Sequence, residues 1–374
     1  MKNKILFITN QAPRYRIPFF NKLANKTNIR LVFTNEDKKI NGLNTDYILS
    51  RGFGWKKYKI HFGLKKILDQ EKPLKVIMLP PDPLHLIDNL ILYNYCKKKK
   101  IPFIFWTERW DYFNLSLKDK ISNLFHSKMM RKANKIIVSG KKSFDWVKSL
   151  DIRETKIVTA PNASEIEFNK EDTKKRKKEL IKKYNLENKK IILYLGRLIN
   201  RKGINYLIDA FSKIDNKKCV LLIVGGGDFY KLGEKSIEYE LKKQVENLNL
   251  EKKIIFTGEI KHEETTAYYS LADIFVYPSI TEKISEPWGL TINEAMQLGL
   301  PLISTTAVGA AYDLIKDGEN GFVVNEKSSE ELKVVMDKIL SDEKLRKDMG
   351  KKSKEMIKNN SYEKMVYGFL EVLR

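Results

Sequence analysis

Cysteine and long apolar runs are both scarce in this sequence. The two cysteines, Cys96 and Cys219, lie far apart and match no metal-ligand spacing, which excludes a disulfide framework and favours free thiols. The longest apolar segment, Leu84–Tyr95, is interrupted by polar residues and is too short to cross a bilayer. The apolar core of Met1–Thr9 is too short for a signal peptide, so this segment is predicted to be a buried strand.

Acidic residues are outnumbered, with 47 Asp and Glu against 70 Lys and Arg, which gives a net charge of +23. This excess predicts attraction to anions such as nucleotide-sugars, anionic lipid headgroups or nucleic acid. The densest basic runs, Lys97–Lys100 and Lys174–Lys183, are more typical of solvated helix ends. No helix-turn-helix, zinc-finger or aromatic RNA-binding pattern accompanies the charge. We therefore expect a cytoplasmic protein that binds no nucleic acid, with the inner face of the cell membrane as a candidate contact.

The 374 residues alternate short apolar runs with amphipathic segments, which predicts an α/β fold with parallel sheets. We predict an N-terminal Rossmann-like domain over residues 1–163, a C-terminal one over 164–355, and a helix over 356–374 that packs back on the first domain. The predicted strands are Ile5–Thr9, Ile29–Thr34, Val76–Leu79, Pro102–Trp106, Ile136–Ser139, Ile157–Ala160, Ile191–Leu195, Val220–Val224, Ile254–Thr257, Ile274–Tyr277, Leu302–Ser304 and Phe322–Val324.

The segment from Ile191 to Ile204 combines a predicted strand, a loop and the start of a helix. The strand ends at Gly196, and the loop contains Arg197 and Lys202. Ligands of open parallel sheets bind at such strand ends, and a guanidinium next to an ammonium suits a diphosphate. Two solvated cations in an ordinary turn would give the same pattern.

A second segment places Glu286 on a loop, because Pro287 and Gly289 forbid regular helix around it. A helix is predicted to begin near Thr291, and its first amides would form an anion site. Glu294 has the spacing of a capping-box partner for Thr291, and binding of ribose hydroxyls is the functional alternative.

Glycines follow a third strand at Gly225 and Gly226. They would let backbone approach a ligand closely, although a plain strand-to-helix turn uses glycine too, and no G-x-G-x-x-G fingerprint is present.

In this order the segments resemble the C-terminal half of retaining glycosyltransferases with the GT-B fold, family 4 of the cell-envelope polysaccharide type. The resemblance implies two facing Rossmann-like domains with parallel sheets and a C-terminal crossover helix. The matching elements are Gly196-Arg197 with Lys202-Gly203, the turn at Gly225, Phe256-x-Gly258, Ala272–Ser279, the two glutamates at 286 and 294 with Gly289-Leu290 between them, and Asn320–Val324.

The resemblance also implies roles for these residues. Arg197 and Lys202 would bind the diphosphate of a nucleotide-sugar donor, assisted by the backbone of Gly289, Leu290 and Thr291. Glu286 would contact the transferred sugar and Glu294 the ribose. No Asp-x-Asp pair is present, so we expect no metal and no cofactor beyond the donor substrate, which would be UDP-linked.

The first half departs from the family pattern, because the stretch from Phe105 to Phe113 lacks the histidine that many relatives place there. Glu108, at the end of a predicted strand, could orient the acceptor or take its proton. A salt bridge to Arg109 or another basic neighbour explains it equally well.

The predicted activity is transfer of a hexose or N-acetylhexosamine, with retention, to a glycan or lipid-linked acceptor of an envelope polysaccharide. Two other functions stay open at this point. The same fold could serve a sugar-nucleotide epimerase or a glycan phosphorylase, and the charge could serve a non-enzymatic binder of nucleic acid.

Overall fold

The computed structural model describes residues 4–35, 39–55, 58–110, 116–215, 218–226 and 236–374. The chain forms two compact units. The first combines Met1–Ala163 with Ser361–Arg374, and the second is Ser164–Asn360. Among the described residues, no helix has both the length and the apolarity that a bilayer crossing requires.

The first unit contains a seven-stranded parallel sheet in the order β3-β2-β1-β6-β7-β8-β9. Every residue of β1 is buried, as expected for a strand covered on both faces. A two-stranded antiparallel hairpin, β4 and β5, accompanies the sheet. The strands are β1 (Ile5–Thr9), β2 (Ile29–Phe33), β3 (Tyr47–Leu49), β4 (Phe53–Trp55), β5 (Tyr58–Ile60), β6 (Lys75–Met78), β7 (Phe103–Thr107), β8 (Lys135–Val138) and β9 (Ile157–Thr159).

Helices cover both faces of this sheet, and one of them comes from the far end of the sequence. Phe369 of the last helix stacks on Phe7 of β1, with ring centroids 5.8 Å apart, and lies 4.8 Å from the ring of Phe19. The described helices of this unit are α1 (Ile17–Lys26), α2 (Gly63–Glu71), α3 (Leu86–Lys99), α4 (Leu117–Lys132), α5 (Lys141–Lys148) and α14 (Tyr362–Leu373).

The second unit contains a six-stranded parallel sheet in the order β12-β11-β10-β13-β14-β15. Its strands are β10 (Lys190–Leu195), β11 (Cys219–Val224), β12 (Ile254–Gly258), β13 (Ile274–Tyr277), β14 (Leu302–Thr305) and β15 (Gly321–Val324). Its described helices are α6 (Lys170–Tyr184), α7 (Ile204–Ser212), α8 (Glu238–Asn247), α9 (Thr265–Leu271), α10 (Leu290–Gln297), α11 (Ala311–Leu314), α12 (Ser329–Ser341) and α13 (Glu343–Ile357).

The strand order of the second unit reverses direction at β10. The strands β11 and β12 follow on one side of β10, whereas β13 lies on the other side. In open α/β sheets the loops at such a reversal flank the ligand-binding crevice, and here these are the loops that leave the carboxyl ends of β10 and β13.

Candidate functional site

The crevice of the second unit is lined by the loops after β10 and β13. The first loop contains Arg197 and ends in a short 3-10 turn, Asn200–Lys202, directly before α7. The second loop contains Glu286, whose backbone N–H donates to the carbonyl of Ala307, 2.9 Å away. These two loops bring together three of the residues predicted from the sequence.

A cluster of charges forms where the two loops meet. Lys202 Nζ donates to Glu286 Oε2 over 2.6 Å, and Arg201 Nη1 donates to the same oxygen over 2.5 Å. The side chains of Lys202, Arg201 and Glu286 are only 5%, 9% and 12% exposed. One carboxylate oxygen is therefore shared by two cations in a largely dehydrated site.

The pKa values of the cluster show how strongly its members interact. Burial would raise the pKa of Glu286, but the charges of Lys202 and Arg201 outweigh burial and lower this pKa to about 2. Burial lowers the pKa of Lys202 to about 8, with Glu286 opposing and Arg201 assisting the shift. Arg197 acts on both groups in the same direction. Among the described residues of this cluster, three cations thus act on the carboxylate of Glu286, and positive charge of this kind favours binding of an anion.

Two buried tyrosines hold the loops around this cluster. The hydroxyl of Tyr194, on β10, donates to the carbonyl of Arg197 over 2.8 Å. The hydroxyl of Tyr277, the last residue of β13, accepts a bond from Lys202 Nζ, and the ammonium lies 4.6 Å from the centre of its ring. Burial raises the pKa of both hydroxyls, so both stay protonated at neutral pH.

Glycines allow two strand ends to approach each other closely beside the cluster. Gly196 donates to the carbonyl of Val224 over 2.9 Å, and a Cβ on Gly225 would lie 1.9 Å from the carbonyl oxygen of Gly196. The φ of Gly225 is +135°, a conformation that other residues rarely adopt. At Gly226 an added Cβ would lie 3.3 Å from the backbone nitrogen of Glu259. Glycine at position 225 is therefore required by backbone packing alone.

The N-terminus of α10 follows the Glu286 loop. Gly289 is its N-cap, with a φ of +96°, and an added Cβ would lie 2.9 Å from the Tyr277 ring. Leu290 and Thr291 begin the helix, and the first amides of a helix have no partner within it. The anion site predicted at this position would use these amides.

The predicted capping box of Thr291 and Glu294 is wrong. The N-cap of α10 is Gly289, without a side-chain cap. Glu294 instead accepts a bond from Ser164 Oγ over 2.9 Å and another from the Tyr269 hydroxyl over 2.8 Å. Burial raises the pKa of Glu294, and these two donors partly oppose the rise.

Glu108 lies in the first unit, after β7, and forms a salt bridge with the buried Arg16. Arg16 also donates to Asn162 Oδ1 over 2.9 Å, and its guanidinium lies 4.5 Å from the centre of the Trp106 ring. The salt-bridge interpretation of Glu108 is thus confirmed, with Arg16 as its partner. Arg109 instead donates to the carbonyl of Pro81 over 2.9 Å.

Sequence reasoning missed Arg201 and Tyr277, which contact the charge cluster directly. Arg201 is adjacent to Lys202 in the sequence, and a buried Tyr at a strand end is a recognisable signal. The sequence did not indicate that Arg201 and Lys202 both bond with Glu286, because this depends on the 3-10 turn that directs the two side chains to the same carboxylate. In the part of the chain that is described, no group of three or more His, Cys, Asp or Glu side chains is arranged to hold a metal ion.

Residues 176–356, just under half of the chain, match the family model described as Glycosyl transferases group 1. Alpha-D-kanosaminyltransferase of Streptomyces kanamyceticus is 30% identical over 185 residues, which cover 49% of this chain and 45% of that protein. The capsular polysaccharide biosynthesis glycosyltransferase CapM of Staphylococcus aureus is 28% identical over 184 residues, covering 48% and 44%. The match therefore spans less than half the length of either relative.

The solved structure of Anabaena Alr3699/HepE in complex with UDP has the same fold. It superposes with a TM-score of 0.78 at 16% identity, and the match covers 99% of both chains. Likeness at this level of identity establishes the fold of the whole chain.

Proposed function

From the GT-B fold of the chain and the group 1 match of residues 176–356, we propose a glycosyltransferase that uses a nucleotide-sugar donor. It would transfer a hexose or N-acetylhexosamine, UDP-linked, to a glycan or lipid-linked acceptor, with retention and without a metal. The observation that supports this best is the excess of cations around Glu286 at the crevice between β10 and β13. The names of the relatives, a sugar transferase and a capsular polysaccharide enzyme, agree with this function.

The chemical demand of the reaction is negative charge on the leaving diphosphate. When the sugar–phosphate bond breaks, the electron pair stays on the phosphate oxygen. Preorganised cations in a dry site stabilise such charge more than water does. We assign this role to Arg197 and Lys202, with the first amides of α10, from Leu290 and Thr291, as additional donors. Cations in these positions would supply the charge that a divalent metal provides elsewhere.

Glu286 would act on both the diphosphate and the sugar of the donor. It accepts bonds from Lys202 and Arg201, the cations near the proposed diphosphate site, and it has capacity for the sugar. Its bonds to the two cations hold them at the crevice, with both bonds on Oε2. A carboxylate has about four acceptor positions, so Glu286 can accept hydroxyl groups of the transferred sugar in addition to these two bonds. Glu294 likewise has about four acceptor positions, so it can accept bonds from ribose hydroxyls while it keeps its bonds with Ser164 and Tyr269.

For the acceptor we propose Glu108 as the group that orients the attacking hydroxyl. Its side chain is 32% exposed, while its partner Arg16 is buried, so the carboxylate is both anchored and accessible. Retention would follow from attack on the face that the diphosphate leaves, without a protein nucleophile.

Ligand-induced thermal stabilisation with UDP, GDP, ADP and CMP, each with EDTA and with Mg²⁺, tests the donor site. At 100 times its dissociation constant a ligand stabilises a fold by about 2.7 kcal/mol. We expect one diphosphate to act equally well in EDTA, and Arg197→Ala to abolish the effect. Lys175→Ala, on the exposed side of α6, is the matched control and should respond like the wild type. A response that needs Mg²⁺ would overturn the metal-free proposal.

Turnover distinguishes transfer from the other reactions of this fold. NMR of the product should show the anomeric configuration of the donor sugar, and Arg197→Ala should lower kcat/KM by roughly two orders of magnitude, about 3 kcal/mol. Conversion of the nucleotide-sugar without an acceptor would indicate an epimerase, and dependence on inorganic phosphate a phosphorylase. Salt-sensitive binding of DNA or RNA without any nucleotide response would indicate a nucleic-acid binder.

A further inference from the structure

The helix α4 of the first unit presents apolar side chains to solvent. Leu117, Ile121, Leu124 and Phe125 are 75%, 45%, 55% and 41% exposed. Their spacing of i, i+4, i+7 and i+8 places them on one face of the helix, along about 12 Å of its axis. The apolar face of a surface helix ordinarily packs against the core, whereas this apolar face of α4 is exposed to solvent.

The opposite face of α4 attaches the helix to the unit partly through polar groups. Ser122 and His126 are buried, and the Ser122 hydroxyl lies 3.1 Å from His126 Nδ1. Asn89 Nδ2 of α3 donates to His126 Nε2 over 3.1 Å. Met129 and Met130 complete the buried face. Because rotating the helix would break these bonds, the exposure of its apolar face is fixed by the fold.

Basic side chains accompany the exposed apolar face. Lys118 and Lys120 flank its start, and Lys128, Arg131 and Lys132 continue to the end of the helix. The only acidic residue of α4 is Asp119, which forms the capping box with Ser116. Five basic residues against one acidic residue give the helix a charge of +4.

We propose that α4 lies in the interface of an anionic membrane. Leu117, Ile121, Leu124 and Phe125 would enter the boundary between headgroups and acyl chains, and the lysines would contact the lipid phosphates. A strong charge beside an apolar face is the pattern of interfacial helices. Charge complementarity selects this occupant, since a second copy of the chain would place one +4 helix against another. The proposal is independent of the donor site and goes beyond it.

Co-sedimentation of the full chain with vesicles, with and without phosphatidylglycerol, tests this proposal. The wild type should bind only the anionic vesicles, and high salt should weaken the binding. The double variant Leu124→Ser/Phe125→Ser should lower the partition coefficient at least about tenfold. Lys118→Gln and Lys120→Gln should each lower it by about fivefold.

Exposed apolar residues on other helices provide the matched control. Val334→Ser/Tyr367→Ser removes two side chains that are 59% and 64% exposed, and it should bind vesicles like the wild type. Melting with and without UDP should be unchanged by Leu124→Ser/Phe125→Ser, which separates a failure of this proposal from a failure of the donor site. Unchanged vesicle binding by that variant would overturn the proposal. Conversion of a dimer to a monomer by the variant, with no lipid binding by the wild type, would overturn it in favour of a second copy.

Discussion

Replacing Glu286 with glutamine removes the negative charge that Lys202 and Arg201 share while keeping the size of the side chain. The pKa of Glu286 falls from 4.5 to about 2 in the folded chain. Each pKa unit corresponds to about 1.36 kcal/mol, so the carboxylate contributes about 3 kcal/mol to the free energy of unfolding at neutral pH. Removing one partner of a buried ion pair has a cost of the same size.

The expected result is a Tm lower by about 6–12 °C for a unit of roughly 200 residues. The contribution of a carboxylate with a lowered pKa is complete above its unfolded value of 4.5 and is lost as the pH falls toward 2. The difference between the wild type and Glu286→Gln should therefore close over that range. Glu330→Gln, which removes an exposed partner of Lys213, is the control and should leave Tm unchanged.

At neutral pH the same variant should bind UDP more weakly than the wild type, because loss of the Glu286 charge lowers the pKa of buried Lys202 further and removes the bonds that hold Lys202 and Arg201. Sugar transfer should fall further, since the proposed acceptor of the sugar hydroxyls is lost as well. Calorimetric titration with UDP and melting in parallel measure both effects. An unchanged Tm at neutral pH would refute the energetic reasoning, and unchanged or tighter UDP binding would refute the placement of the diphosphate beside these cations.

Three further changes test other contacts. UDP affinity in titrations should fall as the pH rises through about 8, where buried Lys202 loses its proton. Lys202→Arg should remove this dependence, because a guanidinium keeps its charge in this range. Gly225→Ala should cost about 3 kcal/mol or more in chemical denaturation, whereas Gly258→Ala, also at positive φ but with open space, should cost less. Arg16→Met should destabilise the first unit by about 2 kcal/mol in chemical denaturation. A double-mutant cycle with Glu108→Gln should give a coupling energy of about 1 kcal/mol, and a coupling energy of zero would contradict the observed ion pair.

Most strands of the two sheets were predictable because they are apolar runs whose side chains are largely buried. All twelve predicted strands are present, with ends within one residue of the prediction. The strands Tyr47–Leu49, Phe53–Trp55 and Tyr58–Ile60 were not predicted. Each has only three residues, which is too short for an apolar run or an alternation to stand out.

The sequence predicted which loops contribute residues to the candidate site, but not which side chains bond with each other there. Loops at strand ends identified Arg197, Lys202 and Glu286, since connectivity alone brings such loops together. The partners of each side chain depend on residues distant in sequence. Glu294 bonds with Ser164, 130 residues away, instead of capping its own helix, and this choice has no local signal.

The packing of α14 in the first unit has a consequence for synthesis of the chain. Phe369 completes the aromatic core around Phe7 and Phe19, yet it follows them by about 350 residues. During translation the first 163 residues must wait for Ser361–Arg374 before one face of their sheet is covered. The second unit is continuous and can fold before them. Truncation before Ser361 should therefore leave the first unit incompletely folded and dependent on chaperones.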